Sequence, residues 1–244
     1  MAMISSENRG LRLVARYAVL VLIAVIFIFP LVFMLMSSLK PTQQLLEDSS
    51  NLRAFLPVGE ISLQNYTDAF QRAPVATFVF NSVLVTGVTV ALSLLLCSAA
   101  GFAFVFVQWK GRDTFLALLL ATLILPFETI AIPLLMMVAH LPWVGMEGLT
   151  WGWLNSYHVQ IVPFIADGLT VFLFVQYFKD LPGELIEAAR VEGASWFQIY
   201  RRIVMPLSGP IFATAAILKF LVMYNQYLWP LMVTQEEGYR PVMV

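Results

Sequence analysis

Residues Glu187 to Leu207 read EAARVEGASWFQIYRRIVMPL, a polar and basic island between two long apolar stretches. Leu185, Ala188 and Ala189 fall at i, i+3 and i+4, one face of a helix, and Gly193 interrupts that run. Ser195 and Gln198 have the S-x-x-Q order of a capping box, so a second short helix is expected to begin there. Trp196, Ile199, Tyr200 and Ile203 then form one apolar stripe at i, i+3, i+4 and i+7, and Pro206 is expected to close the unit. Two short helices joined by a glycine turn, hung between apolar segments, have the form of a docking knuckle for a cytoplasmic partner. The alternative is an amphipathic helix lying on a membrane surface, which has no need of a glycine turn followed by a serine cap.

The apolar surroundings set the solvent. Of 244 residues, 60% are hydrophobic and 12% charged, which excludes an ordinary soluble domain. A bilayer core of about 30 Å takes about 20 helical residues to cross. Five segments qualify: Leu13–Met36, Thr77–Trp109, Thr114–Val138, Val159–Phe178 and Leu207–Leu228. Helix is required, because lipid offers no partner to an open strand edge. Arg9, Arg12, Arg16, Lys110, Arg112, Lys179, Arg190, Arg201 and Arg202 fall on one side. Only Lys40, Arg53, Arg72 and Arg240 fall on the other, so the N-terminus and the knuckle are expected to be cytoplasmic. The first segment is too long for a signal-peptide core and no A-x-A site follows it, so it reads as an anchor helix.

Several chemistries are excluded. Cys97 is the only cysteine, leaving no intrachain disulfide and no cysteine-based metal site. His140 and His158 are the only histidines, with no nucleophile pattern beside them. No G-x-x-x-x-G-K-[ST] phosphate loop occurs, so the chain is not itself an ATPase, and no basic block points to nucleic acid.

The second apolar segment, at about 50 Å if fully helical, exceeds the hydrocarbon thickness and must tilt, bend or project. Ser93, Cys97 and Gly101 recur every fourth residue, as do Ala99 and Ala103, two faces suited to close helix packing. Pro126 and Pro133 predict a kinked third helix. Between the first two segments lies a loop of mixed charge, with Pro41, Pro57 and Gly59, ending in a short amphipathic stretch from Leu63 to Phe70.

The order E-A-A, a glycine six residues after the Glu, and an I-x-x-P ending resemble the EAA loop of binding-protein-dependent ABC importers. Glu187, Ala188, Ala189, Gly193, Ala194, Ile203, Pro206 and Leu207 fit that pattern. The family more often has Asp where Glu192 stands and Leu where Met205 stands; charge and bulk are kept. Leu125-Pro126-Phe127-Glu128 with Pro133, Asn155-Ser156-Tyr157 with Pro163, and Asn225 to Pro230 are similar to permeases for carbohydrates and glycerol phosphate. Tyr224 departs from the Trp usual in sugar permeases.

The resemblance implies an all-α, polytopic membrane helix bundle of the type I ABC importer class. Residues 1–40 would be a cytoplasmic tail and anchor, 41–76 an external loop, and 77–244 the permease core with its EAA loop at 179–206. It implies a permease in the cytoplasmic membrane working by alternating access, with Glu187, Ala188, Ala189, Glu192, Gly193, Ile203 and Pro206 forming the ATPase-coupling loop. The implied partners are a cytoplasmic ATPase dimer that binds the ATP, a second permease subunit, an extracytoplasmic solute-binding protein and lipid. No cofactor belongs to the chain itself. An ion channel or a non-transporting scaffold is the alternative, and neither a pore loop nor a ring of charges is recognisable.

Glu128, Asp167 and Lys219 lie inside apolar segments, where a charge costs about 2.5–3.5 kcal/mol. Asp167 and Lys219 either pair across the fourth and fifth helices or face a hydrated pathway; an exposed Lys219 would favour anionic cargo. Asn225 and Tyr227, at the end of the fifth segment, are further pathway candidates, while Trp229 reads as an interfacial belt residue. The family has a sixth helix. The fourteen residues after Pro230 are too few and too charged to span, so five spans and an external C-terminus are expected.

Overall fold

The computed structural model describes residues 4–48, 51–145 and 148–244, which divide into two compact units at Pro74/Val75. The first unit is built on α1 (Ile4–Ser38), whose stretch Arg12–Ser38 is long and apolar enough to cross a membrane. Its apolar side chains from Leu13 to Leu35 point outward, as lipid-facing residues do. A short helix α2 (Thr42–Asp48), a 3₁₀ turn (Leu52–Phe55) and α3 (Gln64–Arg72) follow. Phe55 lies against Phe29 and Phe33 of α1, with ring centroids 4.6 and 5.2 Å apart. Lys40, fully buried, donates to Asp48 at 2.8 Å and to the Arg53 carbonyl at 2.6 Å, which pins this polar segment together.

The second unit is organised around α4 (Val75–Phe106), a 32-residue helix that is about 48 Å long at 1.5 Å per residue. Then come α5 (Arg112–Ala121), a 3₁₀ turn and α6 (Phe127–Val138). A two-stranded hairpin, β1 (Pro142–Gly145) and β2 (Gly148–Trp151), precedes α7 (Tyr157–Ile161) and α8 (Gly168–Lys179). Next are α9 (Gly183–Val191), α10 (Trp196–Ile199), a π turn (Tyr200–Val204), α11 (Met205–Leu207), α12 (Gly209–Tyr224) and α13 (Leu228–Val233). The bundle is all-α apart from the hairpin.

Among the described residues, two helices are long and apolar enough to cross a membrane outright. The count reaches five among the described residues if each bent pair is one span. The third apolar segment is more than kinked: it breaks at Leu125–Pro126 and turns by 105°. Pro126 caps the second piece, and Pro133 is absorbed within α6. The fourth segment bends by 41° at Ile165–Asp167. The fifth ends at Tyr224 rather than Leu228, because Asn225 leaves helical geometry there and a separate helix starts at Leu228.

The core lies where α4 packs along α8 and α12. Ser93, Cys97 and Gly101 are all buried, as their spacing predicts, and a Cβ on Gly101 would stand 2.7 Å from that of Phe174 on α8. The second small-residue series does not pack in this way: Ala99 is exposed and Ala103 only half-buried. Trp229 is a correction to the belt expectation. It is fully buried, meets Phe127 and Phe164 edge-on, and donates its indole N–H to the Val159 carbonyl at 2.9 Å. Residues 235–242 are fastened across the same end of the unit. Asn81 donates to the Gly238 and Arg240 carbonyls, Gln160 to that of Tyr239, and Ser82 accepts from the Val242 N–H.

Candidate functional site

The knuckle is assembled from strictly local rules. α9 ends in a Schellman turn: Ala194 N–H reaches the Ala189 carbonyl at 2.9 Å, and Gly193 N–H that of Arg190 at 3.1 Å. Gly193 has φ +84°, a conformation in which any Cβ is strained. Ser195 then accepts from Gln198 N–H while the Gln198 side chain accepts from Ser195 N–H, completing the expected capping box. Arg190 folds back over Trp196 at 4.4 Å from the ring centroid and bonds the Ala194 carbonyl, bracing the turn.

The stripe of Trp196, Ile199, Tyr200 and Ile203 faces the core. Phe102 of α4 meets the Trp196 and Tyr200 rings at 6.1 and 5.4 Å, and the Tyr200 and Ser98 hydroxyls bond at 2.7 Å. On α9 the buried pair is Ile186 and Ala189, so Leu185 and Ala188 point away from the core. The unit closes just past Pro206, at Ser208. The chain stays helical from Trp196 to Leu207, because a π turn, with Met205 N–H bonded to the Tyr200 carbonyl, precedes the proline that lacks a donor. The break comes at Ser208, where the chain turns by 80° into α12. There Ser208 donates to the Val204 carbonyl at 2.6 Å and Tyr177 to that of Leu207 at 3.1 Å.

Glu187, Ala188 and Glu192 are exposed on the knuckle, and Ile203 is half-buried beneath it. Around them stand Leu185, Val191 and Phe197, 45%, 88% and 66% exposed. Two open hollows of about 550 and 390 Å³ flank the turn, the first walled by Glu187, Arg190 and Trp196, the second by Glu192, Gly193 and Arg202.

A second site lies in the bundle. Lys219 of α12, 7% exposed, donates to Asp167 Oδ2 at 2.6 Å. Asp167 also caps α8: Oδ1 accepts from Thr170 N–H at 2.9 Å and Oδ2 from the Thr170 hydroxyl at 2.8 Å. Both residues line a cavity of about 360 Å³ together with Thr170, Gln226, Phe127 and Phe164. Of the other pathway candidates, Asn225 and Tyr227 are exposed and stand outside that lining, and Asn225 is engaged with the Leu221 carbonyl. Glu128 is exposed in the first turn of α6, a favourable place for a carboxylate at a helix N-terminus. Gln226, Phe127 and Phe164 were not legible as cavity residues. Gln226 sat in a segment read as continuous helix, and the two rings are brought in by breaks in the third and fourth segments.

The comparisons agree with this architecture. The family model described as "Binding-protein-dependent transport system inner membrane component" matches residues 93–243. The chain is similar to the arabinooligosaccharides transport system permease protein AraQ of Halalkalibacterium halodurans, 37% identical over 86% of this chain and 72% of that protein. It is also similar to the lactose transport system permease protein LacG of Rhizobium radiobacter, at 32% over 98% and 82%. The sn-glycerol-3-phosphate transport system permease protein UgpE of Agrobacterium fabrum is 29% identical over 98% and 82%. Among solved structures, a bacterial ABC transporter involved in import of the acidic polysaccharide alginate shares the fold. Its TM-score is 0.81 at 20% identity, over 98% of this chain and 80% of that one.

Proposed function

This chain belongs to the binding-protein-dependent transport system inner membrane components, and from that premise we propose that it is a carbohydrate-class permease coupled to a separate ATPase through its knuckle. It is a membrane subunit of an ABC importer. ATP would be bound and hydrolysed by a dimer of partner subunits, since the sequence holds no phosphate loop. One knuckle serves one ATPase, so a second permease subunit completes the path, and a solute-binding protein delivers cargo from outside. Residues 1–40 serve as tail and anchor with the N-terminus cytoplasmic, 41–76 as part of the receiving surface for the binding protein, and 77–244 as the permease core.

The observation that carries this reading is the two-faced knuckle. Its inner stripe is fixed to α4, while Leu185, Val191 and Phe197 are left exposed beside Glu187 and Glu192. An exposed apolar patch rimmed by charge suits a groove on a cytoplasmic partner. The helical rod 196–207 leads through one bend into α12, which bears Lys219, so a displacement of the knuckle is passed to the bundle by a rigid element. Closure of the ATPases then supplies the free energy, and the permease needs only two packings of similar energy.

Replacing Gly193 with Val strains the turn, and Glu187→Lys reverses the charge offered to the partner. In reconstituted complexes both are expected to weaken ATPase-subunit retention and substrate-stimulated ATP hydrolysis. Coupling that is unchanged in both variants sinks the assignment.

A further inference from the structure

We propose that the Asp167–Lys219 pair is a recognition site for a neutral, polyhydroxylated ring and selects against anionic solutes. The inference rests on the permease reading above and assigns a cargo chemistry to one cavity. That cavity, about 360 Å³, falls in the usual range of small-molecule sites, roughly 300–1,000 Å³. Its polar groups are Asp167, Thr170, Lys219 and Gln226, set among apolar side chains.

The charge arithmetic decides the ligand class. A lone ammonium in an apolar wall would attract a phosphate or a carboxylate. Here the ammonium is 7% exposed and already neutralised by a carboxylate 2.6 Å away, so the site carries no net charge. An entering anion would meet the Asp167 carboxylate without an unpaired cation to offset it. A pair of hydroxyls meets the opposite situation. Lys219 donates one bond to Asp167 and has two further N–H groups to offer, while the carboxylate, already accepting three bonds, keeps acceptor capacity. Neighbouring hydroxyls of a sugar can accept from one and donate to the other. The Gln226 amide offers a second donor and acceptor, and the Phe127 and Phe164 rings, 5.5 Å apart, form an apolar wall for a C–H face.

Packing alone gives little reason for the pair. A buried ion pair is often no more stabilising than well-packed apolar residues of the same volume. Asp167 is also held in place: as the cap of α8 it accepts two bonds from Thr170 besides that from Lys219, so the carboxylate is already aimed and little further ordering is needed on binding.

The test uses the whole transporter, with both permease subunits, ATPase and binding protein, in proteoliposomes. The probes are arabinotriose, lactose and sn-glycerol 3-phosphate. Wild type is expected to import at least one of the two sugars, and glycerol phosphate neither enters nor competes. Asp167→Asn/Lys219→Met is expected to raise the KM for that sugar about tenfold or more, since bonds to charged groups are lost. Asp167→Asn alone keeps an oxygen for the helix cap and leaves Lys219 unpaired, so glycerol phosphate should begin to compete with the sugar. If the double variant loses its ATPase subunit, the Asp167→Asn arm decides. Import of glycerol phosphate by wild type, import of neither sugar by a complex that holds its ATPase, an unchanged KM in the double variant, or no competition in Asp167→Asn overturns the inference. A wild-type complex that does not retain an ATPase at all sinks the permease reading instead.

Discussion

Replacing Gly101 with Ala tests the tightest contact in the bundle, and a second glycine on the same helix supplies the control. A Cβ at Gly101 would lie 2.7 Å from the Cβ of Phe174 and 3.4 Å from backbone atoms of α8, where ordinary contact begins at 3.4 Å. Phe174 is fully buried and cannot step aside, so α4 and α8 must part locally by about 0.7 Å. Overpacking of that kind costs about 1–3 kcal/mol. Gly87, in the same helix, has nothing within 4 Å of its notional Cβ. Both substitutions carry the same change in helix propensity, so the difference between them isolates the clash. For a chain of this size about 1 kcal/mol moves a thermal midpoint by roughly 2–4 °C. Gly101→Ala should therefore melt several degrees below Gly87→Ala. Cys97, the single cysteine, is 1% exposed on the same face of α4 and serves as the reporter. A thiol-reactive dye labels it only when that packing opens. Equal midpoints, or Gly101→Ala melting above Gly87→Ala, would show that the α4–α8 contact is not the close packing described.

Trp229→Ala should cost about 3–5 kcal/mol, and Trp229→Phe about 1–3 kcal/mol because the Val159 carbonyl loses its donor; a detergent melt reads both, and a belt residue would change little. Asn81→Ala removes the bonds to Gly238 and Arg240 and the acceptor for the Tyr157 hydroxyl, so amide exchange across 235–242 should speed up while α8 is unaffected. In the first unit, the hydrogen bond from Lys40 holds the Asp48 carboxyl below its ordinary pKa. A depressed carboxylate stabilises above its unfolded pKa and loses that contribution as pH falls through the lowered folded value. Exchange protection in Thr42–Asp48 and Leu52–Phe55 should therefore drop in acid for wild type, and Asp48→Asn should be loosened at neutral pH with a flatter acid response.

The knuckle was legible in the sequence because every force that shapes it acts over a few residues. A capping box needs only Ser195 and Gln198, and a Schellman turn only a glycine in the right place. The small-residue face at Ser93, Cys97 and Gly101 was legible for the same reason, since its period lies within one helix. What a local pattern does not carry is the surroundings. Helical spacing puts Leu185 on a face with Ala189, but which face is buried depends on where the core lies, and that selects Ile186 and Ala189. Pro206, by contrast, marks the end of the rod closely: one wide turn ahead of it accommodates the missing donor, and the helix stops at Leu207.

The bundle site shows the same boundary more sharply. Asp167 and Lys219 stood out singly because charge is costly in an apolar segment, but 52 residues separate them and composition cannot say whether they touch. Their meeting depends on breaks that hydropathy does not register. The 41° bend ahead of α8 leaves Asp167 in extended backbone, free to cap the helix and accept from Lys219. The 105° break at Pro126 frees Phe127 to reach Phe164 and Trp229. An amide at the end of the Leu207–Leu228 segment is hard to explain as a belt residue, which favoured Asn225, whereas the end of α12 at Tyr224 leaves Asn225 outside the lining and Gln226 in it. An apolar run records that a segment prefers lipid or core to water, and it carries no information on where the chain turns within that medium. Two of the polar groups that give the cavity its chemistry sit at those turns, Asp167 as the cap of α8 and Gln226 just beyond the end of α12, while Lys219 reaches it from within α12. In this bundle, charge within an apolar run picks out Asp167 and Lys219, and the breaks in helical hydrogen bonding add Gln226 and the two rings that complete the cavity with them.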